Sequence, residues 1–299
     1  MIAGRYGLAI SSFESIAGGA ENSSYLLGTD QGRMVLTLFE SKTMEEAQRL
    51  GTLLSYLEEV NFPSTLVLPL PKGGLVSSHQ GKAVMLKHYL DGQVHTKLSE
   101  DMLRQLGGKL AQLHGLSSPA YLPDVPAFGL KRIRAGLDEV RDADFRAWLI
   151  EWGDWLEQQL SWELPRGLVH ADLFQDNVLF ADERLLALID FEDAGHYKLV
   201  YDIGMAIVGT CLVELEIAWP AARALLAGYE EVRRLEEGER RAIQASVVYG
   251  AMSTAYWRYW KYNIYQPTPE RTDKYLEMKA VADKVRTIAK DSFIEKISE

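Results

Sequence analysis

Two aspartates and an asparagine, Asp172, Asn177 and Asp190, carry the clearest chemistry in this chain. They lie in His170-Ala-Asp-Leu-Phe-Gln-Asp-Asn-Val-Leu-Phe180 and in its return Leu185-Leu-Ala-Leu-Ile-Asp-Phe191. Apolar, β-rich residues 168–169 and 178–180 flank a polar loop, and Ala181-Asp-Glu-Arg184 is a turn signal, so two short strands joined by a hairpin are expected. If the turn occupies 181–184, Phe180 faces Leu185 and Asp190 returns beside residues 175–177. Two carboxylates and one amide at such a mouth suit a hard, oxygen-preferring ion such as Mg²⁺, which keeps waters and binds phosphates. Asp172 is then free to act on a substrate. The plainer alternative is a polar loop that merely closes the hairpin.

His-x-Asp, four residues, Asn, then Asp-Phe on a later strand is the spacing of a kinase-type catalytic loop. There the first aspartate orients an acceptor hydroxyl, while the asparagine and second aspartate hold Mg²⁺.

Other elements must position that loop. Residues 8–16, 24–27 and 34–39 are expected strands of an antiparallel meander, broken at Gly18-Gly19 and Asp30-Gln-Gly32. In the first break, Gly18, Gly19, Asn22, Ser23 and Ser24 would let backbone N–H groups approach phosphate oxygens; a plain hairpin turn explains the glycines equally. Thr43 and Glu46 form a capping box for a helix to about Val60, with Leu50, Leu53, Leu54 and Leu57 as its apolar stripe. Strands over 75–77 and 83–89 complete a unit expected at 1–90, and an adenine held near its end would meet the backbone of Lys87 and Tyr89.

Residues 91–299 are expected to be mostly helical. Leu103, Leu106, Leu110 and Leu113 define one helix, ended by His114, which reads as a structural histidine. Residues 131–160 form another, and 221–228, 239–262 and 270–288 the rest. Asp202, near the start of a helix at 201–208, either caps it or accepts backbone N–H bonds from the 170s loop, a supporting role shared with His170. The aromatics of 255–265 cover every helical face, so they serve either packing or a substrate wall, with Arg258 available to a carboxylate.

Composition bounds the partners. A formal net charge of −10 over 299 residues argues against non-specific nucleic-acid binding, and no stretch approaches the roughly 18 apolar residues of a membrane span. One cysteine, Cys211, excludes an intrachain disulfide. A cytoplasmic monomer or homodimer acting on a small molecule is the expectation.

The chain resembles the aminoglycoside/choline-kinase-like phosphotransferase superfamily, and within it type II homoserine kinases, from about Leu8 to Lys284. The motifs that carry the likeness are those containing Asp172, Asn177 and Asp190, supported by Ala20-Glu-Asn-Ser-Ser-Tyr-Leu-Leu27, Val35-Leu-Thr-Leu-Phe-Glu40, Tyr89-Leu-Asp-Gly92 and Tyr201-Asp-Ile-Gly204. The resemblance implies an α+β, two-lobed protein-kinase-like fold, ATP and Mg²⁺, Asp172 as catalytic aspartate, and Asn177 and Asp190 as metal ligands. Two departures stand out. Val35-Leu-Thr37 lacks the phosphate-binding lysine that many relatives carry on the third strand, and Glu192-Asp193 is unusually acidic. Carboxylates at 192 and 193 favour an acceptor bearing an ammonium group. The expected reaction is phosphorylation of a small hydroxylated molecule, homoserine first. An aminoglycoside, a choline-like amine or an amino sugar is the alternative acceptor, and a nucleotide-binding pseudokinase is the alternative class.

Overall fold

Turn signals between β-rich stretches fold the N-terminal third into one antiparallel sheet. The computed structural model describes residues 2–16, 22–160 and 163–298. After a short helix α1 (Ile2–Tyr6), strands β1 (Ile10–Ile16), β2 (Asn22–Thr29) and β3 (Gly32–Phe39) form the meander, helix α2 (Met44–Glu59) follows, and β4 (Val76–His79) and β5 (Lys82–His88) add to it. The strand order is β1-β2-β3-β5-β4. The Thr43 hydroxyl accepts the Glu46 N–H at 3.2 Å and Glu46 returns the bond to the Thr43 N–H at 2.8 Å, so both ends of the capping box are closed. Leu50, Leu53, Leu54 and Leu57 are buried, as their stripe predicts.

The rest of the chain is α3 (Glu100–His114), α4 (Leu130–Ala135), α5 (Ala143–Gln159), β6 (Arg166–Val169), β7 (Val178–Ala181), β8 (Arg184–Leu188), β9 (Gly195–Lys198), α6 (Leu199–Thr210), β10 (Leu212–Val213), β11 (Glu216–Ile217), α7 (Trp219–Val232), α8 (Glu237–Tyr259), α9 (Tyr275–Thr287) and α10 (Lys290–Ser298). Among the described residues no helix is long and apolar enough to cross a membrane.

Two compact units emerge, one of residues 1–93 with 179–182 and 186–192, the other of 94–178, 183–185 and 193–299. A single cut at 90/91 misses the return of the hairpin to the first unit. That return is made by the Gln93–Phe180 bridge, by the Leu188 N–H on the Pro63 carbonyl at 2.8 to 3.1 Å across these pairs, and by the edge-on packing of Phe62 and Phe191.

Three local readings change. Residues 168–169 belong to β6, whose partner is β9, with Val169 opposite Gly195. The hairpin is β7 and β8 alone, turned at Asp182 and Glu183, both at positive φ, which is the geometry whose twist suits a two-residue connection. The helix expected over 131–160 is broken into α4 and α5: α4 ends at its C-cap Gly136, a 3₁₀ turn follows over Leu137–Glu139, and Asp142 opens a new helix by accepting the Phe145 N–H at 2.9 Å.

Helices α3 and α7 approach closely enough that a Cβ at Gly107 would strike the Leu225 carbonyl, and one at Gly228 the Arg104 carbonyl. We expect Gly107→Ala to push the two helices apart and to lower unfolding free energy by about 1–3 kcal/mol in urea denaturation; an unchanged midpoint would contradict this packing.

Candidate active site

The loop after β6 is held by backbone bonds to a buried carboxylate. Ala171 adopts φ 69°, and this left-handed step turns successive N–H groups toward one point. Asp202, in the first turn of α6, receives both: His170 N–H to Oδ2 at 2.6 Å and Ala171 N–H to Oδ1 at 2.7 Å. The helix itself starts at Lys198 without a side-chain cap, so Asp202 serves the loop and not the helix end.

Asp202 is wholly buried and is in turn supported. His114 Nε2 lies 3.2 Å from Asp202 Oδ2, His114 Nδ1 is 2.7 Å from the Tyr229 hydroxyl, and Arg233 donates to that hydroxyl at 3.0 Å. Arg233 also holds the buried Glu239 through two bonds of 3.0 and 2.9 Å. A consistent donor order runs from Arg233 through Tyr229 and His114 to Asp202, so no member of this interior chain is left unsatisfied. Burial opposes ionisation of Asp202, but the hydrogen bonds from His114 and from the loop outweigh it and hold the carboxyl below the usual carboxylate range.

Below this anchor the loop closes on itself. The Phe174 N–H donates to the Asp172 carbonyl at 3.1 Å, and a 3₁₀ turn over Gln175–Asn177 brings the Asn177 amide back. Asn177 Nδ2 donates to the Asp172 carbonyl at 2.7 Å and to Asp172 Oδ2 at 3.1 Å. With its nitrogen committed twice, Asn177 has Oδ1 left to offer a cation. A side chain at Gly209 of α6 would strike the Leu173 carbonyl, so the helix also seats the loop directly.

In the first unit a second polar group forms. Asp190 is exposed and held at φ 64°, a left-handed kink that ends the strand. Two residues on, Glu192 accepts Asn22 Nδ2 at 2.7 Å and pairs with Lys42 Nζ at 3.3 Å. Burial raises the Glu192 carboxyl, and the Asp190 charge adds to this, against the opposing pull of Lys42, Lys87 and Asn22.

Several expected binding residues are otherwise engaged. Glu192, assigned to an ammonium, is committed to Asn22 and Lys42. Arg258, assigned to a carboxylate, donates to Glu277 at 2.8 Å and to the Lys274 carbonyl at 3.2 Å. Lys87 does not offer backbone to an adenine: the Tyr89 N–H already donates to the Arg33 carbonyl at 3.1 Å, and antiparallel alternation makes Lys87 and Val35 the next bonded pair. Ser23 donates to Glu40 at 2.7 Å, and Ser24 sits opposite Thr37 in the sheet. Asp193 is half-buried at the end of the turn that carries Glu192. Gly18 and Gly19 lie outside the described residues. Tyr256 and Tyr259 are buried, and the Tyr259 hydroxyl accepts the Arg141 N–H at 2.9 Å, so part of the aromatic run is packing within its own unit. Sequence reasoning missed Lys42, which follows a strand and precedes a capping box with no local sign of its partner.

Comparison with known proteins places these residues in context. The model of the phosphotransferase enzyme family matches residues 12–242. Homoserine kinase of Sinorhizobium fredii is 32% identical over 247 residues, covering 78% of this chain and 74% of the relative. Among solved structures, a microcompartment-associated aminopropanol kinase superposes with a TM-score of 0.73 at 18% identity, covering 99% of this chain and 96% of that one. Amicoumacin kinase, solved with AMP-PNP and Ca²⁺, gives 0.74 at 16% identity, covering 94% and 91%. These likenesses show the kinase-like fold.

Because Asp202 is held below the usual range, its stabilisation is complete above about pH 4, the value of an unfolded aspartate, and is lost as pH falls through the lower folded value. Asp202→Asn should cost about 2–4 kcal/mol at pH 7. In denaturation curves taken through falling pH, the gap between parent and variant should begin to close only below about pH 4; a gap that already closes at higher pH would contradict the assignment.

Proposed function

We propose, from the premise that this chain belongs to the phosphotransferase enzyme family, that it transfers the terminal phosphoryl group of ATP to the hydroxyl of homoserine. The observation that carries the chemistry is the Asp172–Asn177 pair. One amide nitrogen fixes the Asp172 carboxylate and leaves its own oxygen to act as an acceptor. Asp172 then accepts the hydrogen bond of the acceptor hydroxyl, aligns its oxygen and takes its proton as the new bond forms. Asn177 is buried and Asp172 half-buried, which limits competing water, and the Asp202 anchor fixes the loop so that little reorganisation accompanies reaction.

Asn177 Oδ1 and the carboxylate of Asp190 are the proposed Mg²⁺ ligands. Along the chain, Asn177 immediately precedes β7 and Asp190 follows β8 by two residues. Two oxygen ligands fit an ion that keeps several waters and takes the rest of its shell from phosphates. When bound, the ion supplies charge neutralisation at the phosphate oxygens.

Homoserine is supported by the relatives named homoserine kinase. A second reading keeps the reaction and changes the acceptor to an amino alcohol without a carboxylate. The pairing of Arg258 with Glu277 favours it, since that ion pair removes the cation expected to receive a carboxylate.

Two measurements test the assignment. Asp172→Asn should lower kcat by about a hundredfold or more with ATP affinity held within about twofold, whereas Asp190→Ala should weaken nucleotide binding in Mg²⁺ and not in EDTA. In an ADP-release assay homoserine should exceed choline and aminoglycosides in kcat/KM by at least about a hundredfold, the discrimination expected of a site that hydrogen-bonds the polar groups of its own substrate. Faster turnover of 1-amino-2-propanol than of homoserine would select the second reading.

A further inference from the structure

The centre of β3 presents an unresolved charge problem. Thr37 stands there, 2% exposed, and its hydroxyl finds no partner among the described residues. It pairs with Ser24 on one side and Met85 on the other, and no lysine lies along β3. Strand alternation and cross-strand pairing together put Val35, Thr37 and Phe39 on one face of the sheet with Lys87, opposite Val35, and Asn22, opposite Phe39. Lys87 is therefore one rung before Thr37 and Asn22 one rung after it. Lys42 follows three residues beyond the end of the strand.

Glu192 gathers these groups. Its two carboxylate oxygens take Asn22 at 2.7 Å and Lys42 at 3.3 Å, and the charge of Lys87 reaches it as well. The Lys42 and Glu192 side chains are only 17% and 14% exposed, and Lys87 makes no ion pair among the described residues. A pair removed this far from water contributes little net stability, because desolvation consumes most of the attraction. The Asn22 Oδ1 atom is buried and, like the Thr37 hydroxyl, has no partner among the described residues. Buried polar atoms without a protein partner can accept a water, an ion or a ligand atom. Lys87, Thr37 and Asn22 thus share one face, and Lys42 is tied to it through Glu192 and Asn22.

We propose that Lys42 and Lys87, aligned by Glu192, form the cationic subsite for the phosphates of the nucleotide, in place of a lysine on β3. Glu192 is a positioning residue: it does not meet the nucleotide but keeps the Lys42 ammonium on the Thr37 face, where a flexible four-carbon stem would otherwise swing into solvent. The assignment rests on ATP being the phosphoryl donor, and it concerns the donor side only, whatever the acceptor proves to be.

Calorimetric titration of the full-length protein with ATP and, separately, with adenosine tests this in the absence of turnover. Lys42→Gln should weaken ATP by about ten- to a hundredfold, the range of a lost charge-assisted bond, and leave adenosine within about twofold. Lys87→Gln should act in the same direction. The Lys42→Gln/Glu192→Gln double variant removes both charges of the pair and with them any unpaired buried carboxylate. If Lys42 faces phosphate, ATP affinity stays low in the double variant. Recovery to within about twofold of the parent, or equal weakening of ATP and adenosine by Lys42→Gln, overturns the subsite while the donor assignment stands. A parent that prefers ATP to adenosine by nothing overturns the donor assignment, and the subsite with it.

Discussion

The carboxylate of Asp202 receiving the N–H groups of His170 and Ala171 is the constraint on which the catalytic loop depends. A peptide chain leaving a short strand has no intrinsic reason to present Asp172 in one orientation, and the left-handed step at Ala171 is disfavoured for a residue with a side chain. Two charge-assisted bonds to a rigid helix offset that cost. They are effective because Asp202 is dry: in water the same bonds would compete with solvent, while in the interior they are strengthened and their loss leaves a stranded charge. The price of burying that charge is met by His114, which α3 supplies, and by the Tyr229 and Arg233 of α7.

This anchoring explains features of the helical unit that hydrophobicity alone does not. Helices α3 and α7 need close approach at Gly107 and Gly228 because His114 and Tyr229 must meet at 2.7 Å, well within the reach that bulkier helix contacts would deny. Glu239, fully buried in α8, completes the capping box at Glu236 and holds Arg233 at once, so helix initiation and the polar chain share a residue. The interior is therefore organised by directional bonds as well as by packing, and the directional part leads to the loop.

The sheet-bearing unit solves a different problem. A buried acid, Glu192, follows an exposed one, Asp190, by two residues, and like charges so near one another raise the cost of ionisation. Lys42, Lys87 and Asn22 counter this from three separate strands or strand ends. The sheet register decides which side chains can contribute, since a shift of one residue would turn Lys87 and Thr37 to the opposite face.

What the sequence by itself determined is local. The capping box at Thr43 and Glu46, the leucine stripe of α2, the turn signal over 181–184, and the spacing that joins Asp172 to Asn177 all depend on partners within a few residues, where chain geometry leaves few alternatives. What only the tertiary structure decided is the identity of distant partners. Asn22 and Glu192 are separated by 170 residues, and His114 and Tyr229 by 115. Arg258 was legible as a cation but not as the partner of Glu277, Lys42 was not legible as anything, and the apolar stripe over 131–160 did not reveal the break between α4 and α5. Side-chain type and periodicity record what a residue can do; which charge it meets is set by where the folded chain brings the other one.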